Sequence, residues 1–230
     1  VTTIIVGEFD FDEVLAKVQK EFNWSDRPTP PERNILPDKP VQETVYIENE
    51  ANINSSFMMF GYLGVPARDL KNLIALEMLA IILGEGTSSR LYVNLVEKMD
   101  ENIFNMIDAE SYSFRDGSNF FIQSNFNSQY KDKAIELVKV EIEKLKENIT
   151  ERELNKAKKK LKSQFACEVE TVSEIGESIG YYMTVCDDLD LAEEYIPTCE
   201  SITTEDLQNV AKEFLNINNA VISVLRPKSL

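Results

Sequence analysis

The stretch SYSFRDGSNFFIQSNF, residues 111–126, contains the clearest turn signal in the chain. Asp116 and Gly117 form a dipeptide typical of a two-residue β-hairpin turn, because both residue types tolerate the backbone angles that such a turn needs. After the turn, Phe120, Ile122 and Phe126 fall on one face of an extended chain. The stretch therefore predicts a hairpin made of the strands 103–113 and 118–127.

Three further strands are predicted on either side of this hairpin. Val45 and Ile47 alternate with polar neighbours, and Ala220 to Leu225 form a β-branched run that ends before Pro227. The segment FMMFGYLG, residues 57–64, is apolar on both faces, which is typical of a strand in the centre of a sheet. We expect its two methionines, Met58 and Met59, to lie in the core.

Helical patterns fill the remaining chain. Apolar residues recur at helical spacing, and helix-starting residues such as Thr150, with Glu153 three residues later, form capping-box signals. The predicted helices cover residues 69–83, 88–98, 130–147, a long segment after Thr150, 172–187 and a segment after Thr203. Strand pairs separated from runs of helices predict an α+β fold, with an antiparallel-dominated sheet packed against a layer of helices.

The N-terminal part of the chain differs from the rest. Thr2 to Val6 predict a buried strand, and Asp10 predicts the start of a helix, with Glu13 as its capping-box partner. Five of the eight prolines then follow within residues 28–40, where proline disfavours both helix and central strand. We expect residues 1–24 to end a preceding domain, residues 25–42 to be a linker and residues 43–230 to be a second domain. Because the chain opens with Val1 rather than Met, directly at the predicted strand, we expect it to be part of a longer protein.

Composition excludes several classes of site. The chain contains no histidine, which excludes Ser-His-Asp and Cys-His catalysis and every zinc site that uses imidazole. Its net charge of −16 disfavours a nucleic-acid partner, since phosphate binding needs clustered Lys and Arg. No apolar run reaches the length of about 20 residues that a membrane helix needs, so we expect no membrane contact. The three cysteines form no CxxC pair, which favours reduced thiols and a cytoplasmic location.

Six segments, in matching order, resemble the pitrilysin/insulinase (M16) zinc peptidase family. The most characteristic is GEGTSSRLYVNLVEK at 84–98, which is similar to the Gly-x-Gly-x-Ser-Ser-Arg-Leu segment of the family. The others are VGEFDFDEVLAKVQKEF at 6–22, FGYLGVPARDLKNLIALEMLAIILG at 60–84, SYSFRDGSNFFIQSNF at 111–126, ITERELNKAKKKLKSQF at 149–165 and ITTEDLQNVAKEFLNINNAVISVLRP at 202–227.

The resemblance implies a role. Members of the family are built from paired domains, and the first domain carries a His-x-x-Glu-His zinc motif that cleaves an extended polypeptide enclosed between two lobes. This chain would then be a non-catalytic second domain, with no cofactor of its own and with zinc in a preceding domain or a partner subunit. Its expected partners are a polypeptide substrate and a second M16-type lobe, as a homodimer or heterodimer.

The resemblance also identifies candidate substrate-binding residues, although it identifies no catalytic ones. Gly84, Glu85, Gly86 and Thr87 match the position of a glycine-rich substrate-recognition loop in the non-catalytic processing-peptidase subunit, and Glu85 could attract a basic substrate. The alternative is that Gly84 ends one helix and Gly86 allows the turn to the next. Arg90 could bind a substrate carboxylate or form an internal salt bridge.

A further family feature is absent from the sequence. In catalytically complete members of the family, a second-lobe domain of this type directs an Arg and a Tyr at the substrate. The matching positions here are Val96 and Phe104, which lack these polar groups, so we expect no substrate contact from that pair. Two alternatives to a peptidase domain are left. The chain could belong to an inactive partner subunit or structural protein of the same fold, or it could be an unrelated α+β domain that binds a peptide along a sheet edge.

Overall fold

The computed structural model describes residues 2–22, 35–36, 38–39 and 41–228. Within them, five strands form one sheet in the order β1-β5-β2-β4-β3. The strands β1 and β5 pair in parallel, and the other three pairings are antiparallel. The strands are β1 (Val45–Ala51), β2 (Ser56–Leu63), β3 (Phe104–Phe114), β4 (Gly117–Phe126) and β5 (Val221–Pro227).

The helices that contact the strands pack on one face of this sheet. Two of them continue into a π-helical turn, α3 through Val93–Glu97 and α6 through Tyr182–Cys186. The helices are α1 (Phe11–Glu21), α2 (Leu70–Leu83), α3 (Arg90–Tyr92), α4 (Lys131–Glu147), α5 (Glu151–Cys167), α6 (Val172–Tyr181), α7 (Asp190–Ser201) and α8 (Thr204–Phe214). The structure thus confirms the predicted α+β class, with an antiparallel-dominated sheet against a layer of helices.

The helix α2 lies at the centre of the core. Eleven of its fourteen residues are buried, because it packs against the sheet on one side and against α5, α7 and α8 on the other. A helix that is apolar all round must be covered on all sides. The described helices cover one face of the sheet, so its residues alternate: in β4, Phe120, Ile122, Ser124 and Phe126 are buried, while Phe121, Gln123 and Asn125 are partly exposed.

One expectation about β2 is wrong, because the described helices cover one face of the sheet and leave the other face exposed. The strand lies in the middle of the sheet, as predicted, and Met58 is buried. Met59 points to the uncovered face and is 39% exposed, so the prediction that both methionines are core residues was wrong for Met59.

The hairpin forms at the predicted place with a shifted turn. Phe114 pairs with Gly117, so the two turn residues are Arg115 and Asp116 rather than Asp116 and Gly117. Contacts outside the hairpin hold this register. The backbone N–H of Ala67 donates to the Phe114 carbonyl, and the Arg115 guanidinium donates to the Thr184 carbonyl.

The sequence patterns located most helix starts correctly and missed one helix. Thr150 and Glu153 form the expected capping box. Asp10 caps α1, but Glu13 pairs with Lys17 instead of completing a box. The helix α7 was not predicted, because Pro197 lies inside it and proline disfavours a helix interior.

The predicted strand at Thr2–Val6 is wrong. Residues 2–6 form no strand and are exposed or half-buried, because no strand of the sheet lies beside them. Residues 4–7 instead pass along α6, where a methyl group built on Gly180 would lie 3.4 Å from Ile4 Cδ1. Trp24, which precedes the proposed linker and is expected to pack between the two domains, lies outside the described residues, as does most of the linker at 25–42.

No described helix has both the length and the apolar character that a membrane crossing requires.

Candidate functional site

A cleft of about 810 Å³ runs along the strand β3 at one edge of the sheet. Residues 109–113 of β3 form one side, and the facing sides come from α2, α5, α6 and α7. Because β4 is the one described strand that pairs with β3, alternate residues of β3 direct backbone N–H and C=O groups away from the sheet. An extended chain can add to such an edge as a further strand.

The cleft is lined by six glutamates and, within the described residues, by no Lys or Arg. Of the six carboxylates, only that of Glu85 has a described salt-bridge partner, Lys160, at 2.5 Å. The uncompensated charge gives the cleft a negative potential, which favours a cationic ligand. The glutamates are Glu77, Glu85, Glu110, Glu168, Glu174 and Glu177.

Glu77 is the most strongly perturbed of these groups. It projects from α2, and its carboxylate accepts a hydrogen bond of 2.9 Å from the Tyr195 hydroxyl. The Tyr195 ring stacks on Phe165 at a centroid distance of 4.9 Å. Burial raises the pKa of Glu77 to about 7, an effect that the Tyr195 hydrogen bond opposes and the charge of Glu168 reinforces. The carboxyl therefore takes up a proton near neutral pH.

We expect Glu77→Gln to stabilise the protein above pH 7 by about 2 kcal/mol. The pKa of Glu77 is raised from 4.5 to about 7 on folding, so between these values the unfolded chain has lost its proton while the folded chain retains it. The free energy of unfolding therefore falls with rising pH in this window. The glutamine side chain of the variant does not titrate, so the variant lacks this pH dependence. Urea unfolding from pH 4 to pH 8 measures the effect, with exposed Glu136→Gln as the control. Parallel stability–pH curves for wild type and Glu77→Gln would contradict it.

The predicted glycine loop lies at one end of the cleft. Gly84 is the C-cap of α2 and packs against β3 so closely that a methyl group there would lie 2.0 Å from the Ala109 nitrogen. Gly86 has φ +83° with open space around it, a conformation that favours glycine. Both glycines therefore have structural reasons to be glycine.

The other loop residues differ in where they point. Glu85 lines the cleft and is half-buried, whereas Thr87 is exposed and is not among the lining residues. Lys160 belongs to the basic run of α5, and its pairing with Glu85 joins the loop to that helix. Of the predicted substrate-binding residues, Glu85 alone lines the cleft.

Arg90 is held inside the protein. Its guanidinium donates to both carboxylate oxygens of Glu153, at 2.6 and 2.8 Å, and to the Asn148 carbonyl at 2.5 Å. Burial of Glu153 opposes ionisation, but the Arg90 contacts and hydrogen bonds from Thr150 outweigh it and lower the pKa of Glu153 to about 2. Arg90 thus forms the internal salt bridge, and it is not among the residues that line the cleft.

The positions that match the Arg and Tyr of the family lie in the interior. Val96 packs against the hydrophobic core, and Phe104 is 1% exposed. Neither side chain lines the cleft.

The donors in the cleft do not fit a zinc site. Zinc is bound by Cys, His and carboxylate groups in tetrahedral clusters, and the chain contains no histidine. Among the described residues, no group of three His, Cys, Asp or Glu side chains is placed to hold a metal ion.

Sequence reasoning missed most of the cleft. One signal was available: Glu174, Glu177, Ser178 and Tyr181 recur at helical spacing and together form the α6 side. The edge position of β3 had no local signal, since strand order depends on pairing between distant segments.

Comparison with known proteins gives a consistent result. A family model described as the peptidase M16 inactive domain matches residues 1–161. An uncharacterized zinc protease of Rickettsia felis is 26% identical over 95% of this chain and 52% of its own length. The zinc protease PqqE of Helicobacter pylori is 26% identical over 97% of this chain and 51% of its own length. The chain thus spans about half the length of these curated relatives.

Solved structures share the fold. The crystal structure of a protease from Helicobacter pylori matches with a TM-score of 0.82 and 25% identity, over 96% of this chain and 54% of that chain. A peptidase M16 inactive domain from Pseudomonas fluorescens matches with a TM-score of 0.76 and 20% identity, over 87% of this chain and 48% of that chain.

Proposed function

Because the chain belongs to the peptidase M16 family, as its inactive domain, we propose that it forms one wall of the chamber of an M16-type zinc metallopeptidase and contacts an extended polypeptide substrate. The observation that carries the substrate contact is the outer edge of β3, which pairs with no other described strand and lies along an open cleft of about 810 Å³.

The cleft supplies two kinds of contact for such a substrate. The outward backbone groups of β3 between Glu110 and Ser113 would pair with an extended peptide in any sequence context. Glu177 lines the cleft from α6, and Glu110 lies on its β3 side, where its carboxylate accepts a hydrogen bond from the Tyr112 hydroxyl. Both carboxylates would favour segments rich in Lys and Arg. The domain would therefore hold the substrate while chemistry takes place elsewhere.

Zinc and the catalytic groups would belong to a preceding domain or to a partner subunit. The relatives are named as zinc proteases and are about twice the length of this chain, whereas the residues described here offer no zinc site. When bound there, zinc would activate the water that cleaves the peptide. This chain would bind and orient the substrate and exclude water around it.

Residues 1–24 are proposed to end that preceding domain, and residues 25–42 to link it to the domain of 43–230. In support, no residue of α1 is buried, and the apolar side chains of Phe11 and Leu15 are 68% and 40% exposed.

A second M16-type lobe would close the chamber from the opposite side. The free thiols Cys167, Cys186 and Cys199 support a reducing, cytoplasmic location.

Cleavage of a Lys/Arg-rich peptide by the full-length protein tests the proposal. We expect cleavage that a zinc chelator abolishes, either alone or with a co-purifying partner lobe. Reversing two cleft charges, Glu110→Lys with Glu177→Lys, should lower kcat/KM about tenfold, mainly through KM, because both groups contact substrate away from the reacting bond. The control Glu136→Lys reverses a charge on the exposed surface of α4 and should change kcat/KM less than about twofold.

The outcomes separate the alternatives. Cleavage by the protein alone would place zinc in the same polypeptide, and cleavage only with the partner would make this protein the non-catalytic lobe. A well-folded protein that cleaves no peptide under either condition would leave the structural or assembly role and disprove the peptidase proposal. Equal effects of the cleft and control variants would disprove the substrate contact.

A further inference from the structure

The helix α6 has two opposite contact faces. One face lines the cleft with Glu174, Glu177, Ser178 and Tyr181, which recur at i, i+3, i+4 and i+7 and so share one side of the helix. The other face carries glycine at 176 and 180, one helical turn apart.

The N-terminal segment lies on that glycine face. A methyl group built on Gly180 would lie 3.4 Å from Ile4 Cδ1, and one built on Gly176 would lie 3.8 Å from Val6 Cγ2. At the next turn, Val172 Cγ1 approaches within 4.0 Å of a methyl group built on Gly7. Residues 4–7 therefore follow the helix for two turns at van der Waals distance.

Among the described residues, the C-terminal end of the helix is held by more contacts than its start. At the C-terminal end, the Tyr181 hydroxyl lies 2.7 Å from the Ser113 hydroxyl of β3, and the following Tyr182 and Cys186 are buried. No residue of α6 itself is buried, and Thr171 to Ser173 at its start are exposed. A helix fixed at one end can pivot there, because its free end has few packed neighbours to resist displacement.

We infer that α6 couples the N-terminal segment to the cleft: the position of residues 4–7 sets the distance between the free end of α6 and β3. The link between this distance and substrate binding rests on the proposed function. The idea that the preceding domain moves residues 4–7 rests on the proposed domain boundary. Movement of that domain would then widen or narrow the cleft through a shift of packed elements.

Spin labels on β3 and on α6 test the coupling without any substrate. In the full-length protein with the exposed Cys167 replaced by serine, labels at Met106→Cys on β3 and Ser173→Cys on α6 report their distance by pulsed electron resonance. Gly176→Leu should shift the most populated distance by about 2 Å, because the added side chain displaces residues 4–7 or the helix. The matched control, Gly176→Ala, adds a methyl group at ordinary contact distance and should leave the distance as in wild type.

A second variant acts from the other side of the contact. Val6→Asp leaves α6 unchanged and introduces a charge against Gly176, so it should release the helix and broaden the distance distribution. If Gly176→Leu and Val6→Asp both leave the distribution unchanged in folded protein, the coupling is wrong. Because the readout needs no peptide, a failure of peptide binding would disprove the substrate contact alone and would not alter the distance result.

Discussion

Gly84→Ala is expected to lower the free energy of unfolding by about 3 kcal/mol or more. Gly84 packs against the backbone of β3, where an added methyl group would lie 2.0 Å from the Ala109 nitrogen and 2.6 Å from the Asp108 carbonyl carbon. Both obstacles are main-chain atoms of a hydrogen-bonded strand. Relief therefore requires α2 and β3 to separate, which disturbs a helix with eleven buried residues. Urea unfolding followed by circular dichroism measures the loss.

Gly86→Ala is the matched control in the same loop. Nothing lies within 4 Å of a methyl group there, but φ is +83°, so the cost is backbone strain of about 1 kcal/mol. A larger loss for Gly86→Ala than for Gly84→Ala would show that backbone conformation, and not the contact with β3, determines this loop.

Arg90→Met should cost about 3 kcal/mol of stability. The substitution keeps the apolar stem but leaves the Glu153 carboxylate and the Asn148 carbonyl without their charged donor. The Arg90 and Glu153 side chains are 15% and 26% exposed, so water can replace the lost hydrogen bonds only in part. The control is Lys71→Met, which breaks a more exposed pair with Asp206, at 55% and 28% exposure, and should cost less than about 1 kcal/mol.

The Arg90 pair should also contribute to acid sensitivity. The pKa of Glu153 is lowered from 4.5 to about 2 in the folded protein, so its stabilising contribution is present above pH 4.5 and is lost as pH falls toward 2. Arg90→Met should flatten the stability curve in this window. A double-mutant cycle with Glu153→Gln isolates the pair, and a coupling energy near zero would contradict the prediction.

Much of the fold could be predicted from local pattern. The hairpin, the central strand β2 and the capping box at Thr150 each depend on residues within a few positions of one another, so the sequence displays them directly. The errors arose where distant segments override local preference. Pro197 lies within a helix because α7 packs against α2 and α5, and the β-branched run at 2–6 has no neighbouring strand to pair with.

The candidate site was less predictable than the fold. The glycine loop was located by resemblance, and one of its residues, Glu85, lines the cleft. Arg90 instead binds Glu153, 63 positions away in sequence. The α6 side of the cleft was visible as a helical repeat, although nothing in that repeat indicated that it faces β3.

The sequence by itself determined the identity of most elements, the family and the lack of any imidazole ligand, because composition and short-range periodicity do not depend on how the chain is arranged. The tertiary structure decided which strand is the edge and what faces it. The strand β1 pairs with the C-terminal β5, Val45 with Val221, which places β5 inside the sheet. The strand β2 is inside because it pairs with both β5 and β4, and β3 is left at the edge because β4 is its one partner among the described strands. The cleft exists because α6 lies beside that edge without closing it, a consequence of packing between segments that no local stretch of sequence encodes.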